Sequence, residues 1–214
     1  MRVKFCGLTR QEDVDRAVAL GADMLGFIFH ARSPRAVQPE QVARLRSGGL
    51  ARVGVFVEQD SEAIADIMRR ARLDYAQLHG AQDDDACARR IGAERIIRVF
   101  WPQRHAGLDD LLRAMRAAAP ACAWYLLDAG LQGGGSGKTL NWQDLAALSR
   151  ADLPRPWLLA GGLDPTGVAQ ALTCCRPDGL DINSGVEDAP GIKNHEKMAA
   201  VLRAMRQPVP PLGG

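Results

Sequence analysis

Eight short apolar runs recur along the chain, each followed by a segment with helical periodicity, and this alternation leaves few architectures open. The strand-like runs are Val3–Cys6, Met24–Phe29, Arg52–Val57, Tyr75–Leu78, Arg95–Phe100, Ala123–Asp128, Trp157–Ala160 and Gly179–Ile182. Helical patterns follow at Gln11–Leu20, Pro39–Arg46, Ser61–Arg70, Asp83–Ile91, Leu108–Ala118, Gln143–Ser149, Asp164–Leu172 and Asn194–Arg206. Gly21 reads as a helix stop, Pro39 as a first-turn proline, and Asn141 and Asp164 as caps. The strands are too apolar for a sheet with one wet face, so they read as parallel and covered on both sides.

Two folds meet these conditions: a closed (β/α)8 barrel and an open doubly wound sheet. An open sheet concentrates its glycine-rich turn after the first strand. Here glycines cluster after strands six, seven and eight, so the pattern predicts a single (β/α)8 TIM barrel over residues 1–206. The tail Gln207–Gly214, with three prolines and two glycines, is expected to be loose.

Composition narrows the function classes. A net charge of +2 gives no footprint for nucleic acid or an anionic membrane. No apolar run approaches the roughly 18 residues of a spanning helix, and Lys4 and Arg10 interrupt any signal-peptide pattern. Five cysteines, an odd number without ligand spacing, predict a reduced, cytoplasmic chain. The four histidines form no ligand spacing with cysteine or carboxylate, so no metal site is expected. No helix face stands out as unusually apolar, and a monomer is the expected state.

Barrels present chemistry where strands turn into helices, and the first such turn is Lys4-Phe5-Cys6-Gly7-Leu8-Thr9. Thr9 and Glu12 have capping-box spacing. Cys6 ends strand one and Asp128 ends strand six, three strands apart around a ring of eight, so their side chains are expected to face each other across the mouth. A thiolate abstracts protons and a carboxylic acid donates them; a lone cysteine is also often a small buried hydrophobe. Arg35, stiffened by Pro34, suits a carboxylate or is a plain surface arginine. Asp181 faces the interior, to bind hydroxyls or to pair with Lys4. Gln77 and His79 share a face at the end of strand four, with roles in binding or in structure.

The late glycine turns, Gly133–Thr139, Gly161-Gly162 and Asn183-Ser184-Gly185, read together as a phosphate cup. A short helix opening at Ser184 would add its dipole. Gly133–Thr139 is not a P-loop, because Gln132 stands where the pattern needs glycine.

These residues, in this order, resemble the phosphoribosylanthranilate isomerase family of tryptophan biosynthesis. The resemblance spans nearly the whole chain. It rests on Lys4–Thr9, Ser33-Pro34-Arg35, Gln77-Leu78-His79-Gly80, Leu127-Asp128, Gly134-Gly135-Ser136-Gly137, Leu159–Leu163 and Asp181–Glu187. It implies an Amadori rearrangement without a cofactor, with Cys6 as general base and Asp128 as general acid. It further implies that Arg35 binds the anthranilate carboxylate and that Asp181 contacts a hydroxyl. A small phosphoribosyl compound is then the partner, its ring near Gln77 and His79. Its phosphate would lie on Gly134, Gly135, Ser136, Gly137, Gly161, Gly162, Ser184 and Gly185. Asn141, where the family often has aspartate, and Asn183, in place of a common serine, depart from the pattern. Related phosphosugar barrels want lysine or aspartate at the end of strand one, where this chain has Cys6; a barrel that binds phosphorylated ligands without turnover is the non-enzymatic alternative.

Overall fold

The computed structural model describes residues 1–128, 145–148 and 150–206. Eight parallel strands close into a barrel in chain order: β1 (Arg2–Phe5), β2 (Met24–Ile28), β3 (Ala51–Phe56), β4 (Tyr75–Leu78), β5 (Ile96–Phe100), β6 (Trp124–Asp128), β7 (Trp157–Ala160) and β8 (Gly179–Ile182). The seam is the β1–β8 pairing, which sets Lys4 opposite Asp181 and Phe5 opposite Ile182. Around the ring run α1 (Gln11–Ala19), α2 (Pro39–Arg44), α3 (Ser61–Ala71), α4 (Asp84–Ile91), α5 (Leu108–Ala118), α6 (Val168–Cys175) and α7 (His195–Arg206). A two-stranded antiparallel ribbon, β9 (Glu187–Ala189) and β10 (Ile192–Lys193), is inserted between β8 and α7.

Strand alternation divides the core into two shells. Outward residues such as Phe5, Leu25, Phe27, Leu78, Tyr125 and Trp157 pack beneath the helices with Val14, Ile64, Met68, Met115 and Val201. Each such side chain, fully buried, contributes about 1.5–3 kcal/mol. Tyr125 also donates its hydroxyl to the Met115 carbonyl at 2.6 Å, which ties β6 to α5. The inward shell holds Met24, Val53, Ile97, Val99, Leu126, Leu158 and Ala160. Three polar side chains break this apolar lining, the buried Lys4, Gln77 and Asp181.

Local chemistry sets several helix starts. Asp60 and Asp83 cap α3 and α4, accepting from the N–H groups of Ala63 and Ala86 at 2.9 Å. The capping box expected at Thr9 and Glu12 does not form. Arg10 precedes α1 without a side-chain cap, and the Thr9 hydroxyl instead donates to the Gly191 carbonyl at 2.7 Å. Helix α6 starts at Val168, later than the expected Asp164. The Asp164 carboxylate accepts from the Thr166 and Gly167 N–H groups at 2.9 and 2.7 Å and holds a turn there. The short helix expected at Ser184 is a single 3-10 turn, Ser184–Val186. Gln143, Asp144 and Ser149 of the expected helix Gln143–Ser149 and the whole tail 207–214 lie outside the described residues. No disulfide links the five cysteines, and no described helix is long and apolar enough to cross a membrane.

Candidate active site

A cavity of about 690 Å³ opens at the carboxyl ends of the strands, lined by Cys6, Gln77, His79, Asp128, Asp181 and the turns after β7 and β8. Its base is the polar break in the barrel lining. Lys4, fully buried, reaches Asp181 with Nζ at 2.9 Å from Oδ1 and 3.0 Å from Oδ2. Of the two readings of Asp181, the ion pair is therefore present, and its carboxylate also faces the cavity.

Cys6 follows β1, anchored by its N–H to the Ile182 carbonyl at 2.8 Å. Its sulfur lies inward beside Lys4, and both rest over Gly26 of β2. A Cβ on Gly26 would sit 2.8 Å from Sγ and 3.0 Å from Nζ. The thiol is only 4% exposed, yet it lines the cavity and is not sealed in the apolar core. Burial pushes the Cys6 thiol up, against the charge and hydrogen bond of Lys4, which pull it down; Asp181 adds to the rise. Burial alone would lower the Lys4 ammonium, but Asp181 and Cys6 outweigh it and hold the group above its ordinary value.

Asp128 ends β6 on the opposite wall, Oδ2 3.8 Å from Nε2 of His79. The His79 Nδ1 is 3.3 Å from the Gln77 amide nitrogen, and its ring meets the edge of Trp101 with centroids 5.1 Å apart. Burial lowers the His79 imidazole, only partly offset by the Asp128 charge, so the neutral ring is favoured.

Arg35 lies beside the mouth in a bidentate grip. Its Nε stands 2.9 and 3.1 Å from the two Glu187 carboxylate oxygens, and Nη2 2.6 Å from Oε2. Lys193 closes the network, donating to Glu187 at 2.8 Å and to the Asn183 side-chain oxygen at 2.9 Å. Burial would raise the Glu187 carboxyl, but hydrogen bonds from Arg35 and Lys193 prevail and hold it below the usual range. Gly7 makes this crossing possible. It sits at φ +70°, where a Cβ would fall 2.6 Å from Asn183 Oδ1 and 2.7 Å from Arg35 Cδ.

The turns after β7 and β8 form the far wall. Gly161 and Gly162 take φ +97° and +69°. Gly185 packs so tightly on the Leu163 carbonyl that a Cβ would stand 2.0 Å from its oxygen. Gly161, Gly162, Ser184 and Gly185 thus come together, while Gly134, Gly135, Ser136 and Gly137 lie outside the described residues. Among the described residues no cluster of three or more His, Cys, Asp or Glu side chains is arranged to hold a metal ion.

Sequence reasoning missed Glu187 as the partner of Arg35, and Lys193 and Trp101 altogether. One signal was available for Lys193: the chain has only four lysines against its many arginines, and two of the four, Lys4 and Lys193, are buried here.

A family model for N-(5'-phosphoribosyl)anthranilate (PRA) isomerase matches residues 3–204. The chain belongs to this family. Over 202 residues, 94% of each chain, it is 60% identical to the N-(5'-phosphoribosyl)anthranilate isomerase of Desulfovibrio desulfuricans. Among solved structures, a PRA isomerase in complex with reduced 1-(o-carboxyphenylamino)-1-deoxyribulose 5-phosphate superposes with a TM-score of 0.80 at 31% identity, covering 95% of this chain and 97% of that one. Monomers generated from the dimeric PRA isomerase of Thermotoga maritima give 0.79 at 30% identity, covering 95% and 97%. The closed eight-stranded barrel is the fold shared with these PRA isomerases.

Proposed function

We propose that Cys6 and Asp128 divide the proton transfers by which this chain converts N-(5-phosphoribosyl)anthranilate to 1-(2-carboxyphenylamino)-1-deoxyribulose 5-phosphate. The single observation that carries this assignment is that a thiol and a carboxyl, from strands three apart in the ring, line one cavity with a glycine wall beside them. Asp128, protonated, donates to the ribose ring oxygen. The C1–O bond breaks and the nitrogen lone pair forms a C1=N iminium. Cys6, as thiolate, removes the C2 proton, and those electrons form the C1=C2 enolamine while nitrogen recovers its lone pair. Tautomerisation of the enol gives the C2 ketone. The substrate nitrogen is the electron sink, so the chemistry needs no cofactor.

The remaining groups orient the substrate. Its phosphate lies on the turns at Gly161-Gly162 and Ser184-Gly185, together with Gly134–Gly137. Its anthranilate carboxylate meets Arg35, whose Nε and Nη2 are held by Glu187 beside the cavity mouth. Asp181, aimed by Lys4, accepts from a ribose hydroxyl, and Gln77 and His79 line the ring. The working unit is a cytoplasmic monomer covering residues 1–206. Its support is that Met1 and Ile192 are the only exposed large apolar side chains among the described residues; a dimer in sedimentation would overturn it.

Asp128→Asn should lower turnover by about 10²- to 10⁴-fold while binding of a reduced product analogue persists. Loss of anthranilate fluorescence on substrate addition measures it. Turnover at the wild-type rate would remove the acid, and Cys6→Ser with unchanged activity across pH would remove the base.

A further inference from the structure

Lys4 does not line the cavity, yet it is a fully buried cation beside two residues that do, Cys6 and Asp181. A buried ammonium is costly unless its partners are fixed, and here they are. Asp181 takes it through both oxygens from the adjacent strand, at the β1–β8 register that pairs the two residues. Lys4 and Cys6 share the inward face of β1, and their sulfur and ammonium come together over Gly26. Gly26 supplies the room, since the position of a Cβ there is claimed by Sγ, by Nζ and by the Cys6 Cα. An apolar side chain at position 4 would fill the barrel as well as lysine does; what lysine adds is a positive charge under the thiol.

We propose that Lys4 is the positioning residue of the base: its ammonium, clamped by Asp181, is the counter-cation that stabilises the Cys6 thiolate and aims it into the cavity. The proposal rests on Cys6 being the base. Asp181 then has a second task, restraining the cation so that it stays at the sulfur and does not approach the substrate. Charged groups reach Cys6 from three further places: Asp181 on β8, Lys193 on β10 and Arg35 after β2. Lys193 and Arg35 share Glu187 as their common carboxylate, whereas the carboxylate of Lys4 is Asp181 at its own strand's edge. Lys4 and Asp181 should therefore act on the thiol with opposite signs, and independently of the Arg35 network.

The test is the ultraviolet thiolate absorbance of Cys6 against pH in the full chain, isolated by subtracting the same trace from a Cys6→Ser background. Lys4→Met should raise the titration midpoint by more than a unit, a greater than roughly tenfold loss of thiolate at a fixed pH below it. Asp181→Asn should lower the midpoint. The double variant Lys4→Met/Asp181→Asn, which buries no unpaired charge and protects against a misfolded single variant, should fall above the wild type and below Lys4→Met. The acid limb of kcat/KM should move with the midpoint. Folded Lys4→Met with an unchanged midpoint, or both single variants shifting in the same direction, would overturn the proposal. The absorbance reads the thiolate without turnover, so a failure of this proposal is distinguishable from a failure of Cys6 as the base, which unchanged activity in Cys6→Ser would show.

Discussion

Gly26 offers a measurement that separates the geometry of the site from the stability of the barrel. A Cβ there would lie 2.8 Å from Cys6 Sγ, 2.9 Å from Cys6 Cα and 3.0 Å from Lys4 Nζ. Carbon atoms in contact normally keep at least about 3.5 Å, so β1 and β2 must part by roughly 0.6 Å at that point. The Cα lies one residue past a strand paired on both sides, and its own N–H is bound to the Ile182 carbonyl, so it has little freedom and much of the displacement falls on the sulfur and the ammonium. Overpacking of this kind costs about 1–3 kcal/mol, or about 3–9 °C in Tm for a domain of this size. A reacting atom misplaced by such a distance should lower kcat about 10- to 100-fold. Gly54→Ala is the control. Its Cβ would stand 2.5 Å from Leu73 Cδ1 and 2.8 Å from Phe56 Cε2, on the outward face of β3. It should lose comparable stability and keep its kcat. Thermal melting and fluorescence turnover, run on both variants below their melting ranges, decide the matter. Wild-type kcat in Gly26→Ala, or an equal loss in Gly54→Ala, would refute the argument.

Two further predictions concern charge. Glu187→Gln leaves Arg35 and Lys193 without their shared carboxylate and should cost about 3 kcal/mol by chemical denaturation, with KM rising more than kcat falls. The Glu187 carboxyl titrates below its ordinary value in the fold, so its stabilisation is complete above about pH 4.5 and is lost as pH falls through the folded-state value; the variant should therefore lose less stability than the wild type on acidification. His79 is also held below its ordinary value, so from about pH 6.5 downward the unfolded chain takes up a proton that the folded chain resists, and stability falls. His79→Gln should flatten that part of the urea-midpoint profile, and an identical slope would show that the imidazole is not the group responsible.

The strands were legible because parallel strands buried on both faces read as continuous apolar runs: Tyr75–Leu78, Trp157–Ala160 and Gly179–Ile182 have the bounds expected of them. Period-two alternation put Lys4 and Cys6 on one face and Asp181 in the barrel interior, although β1 stops at Phe5, one residue short of Cys6. Signals that compete with distant partners misled. The Thr9 hydroxyl is satisfied by a carbonyl 182 residues away, which no local capping pattern reveals. The Arg35–Glu187–Lys193 network was hidden for a similar reason. It hangs on β9 and β10, strands of three and two residues, too short for periodicity to register. Glu187 stood inside a recognised motif, but nothing in its neighbours names Arg35, 152 residues earlier, as its partner.

The Lys4–Asp181 clamp joins positions 177 residues apart, and this places a condition on assembly. During synthesis the thiol emerges with the first strand, while its carboxylate counterpart arrives with the eighth, after nearly all the intervening loop entropy has been spent. Until the seam shuts, the lysine is hydrated and the cysteine is an ordinary one. The sulfur gains its charged neighbours in the same step that completes the ring, so assembly of the site and closure of the barrel are one event.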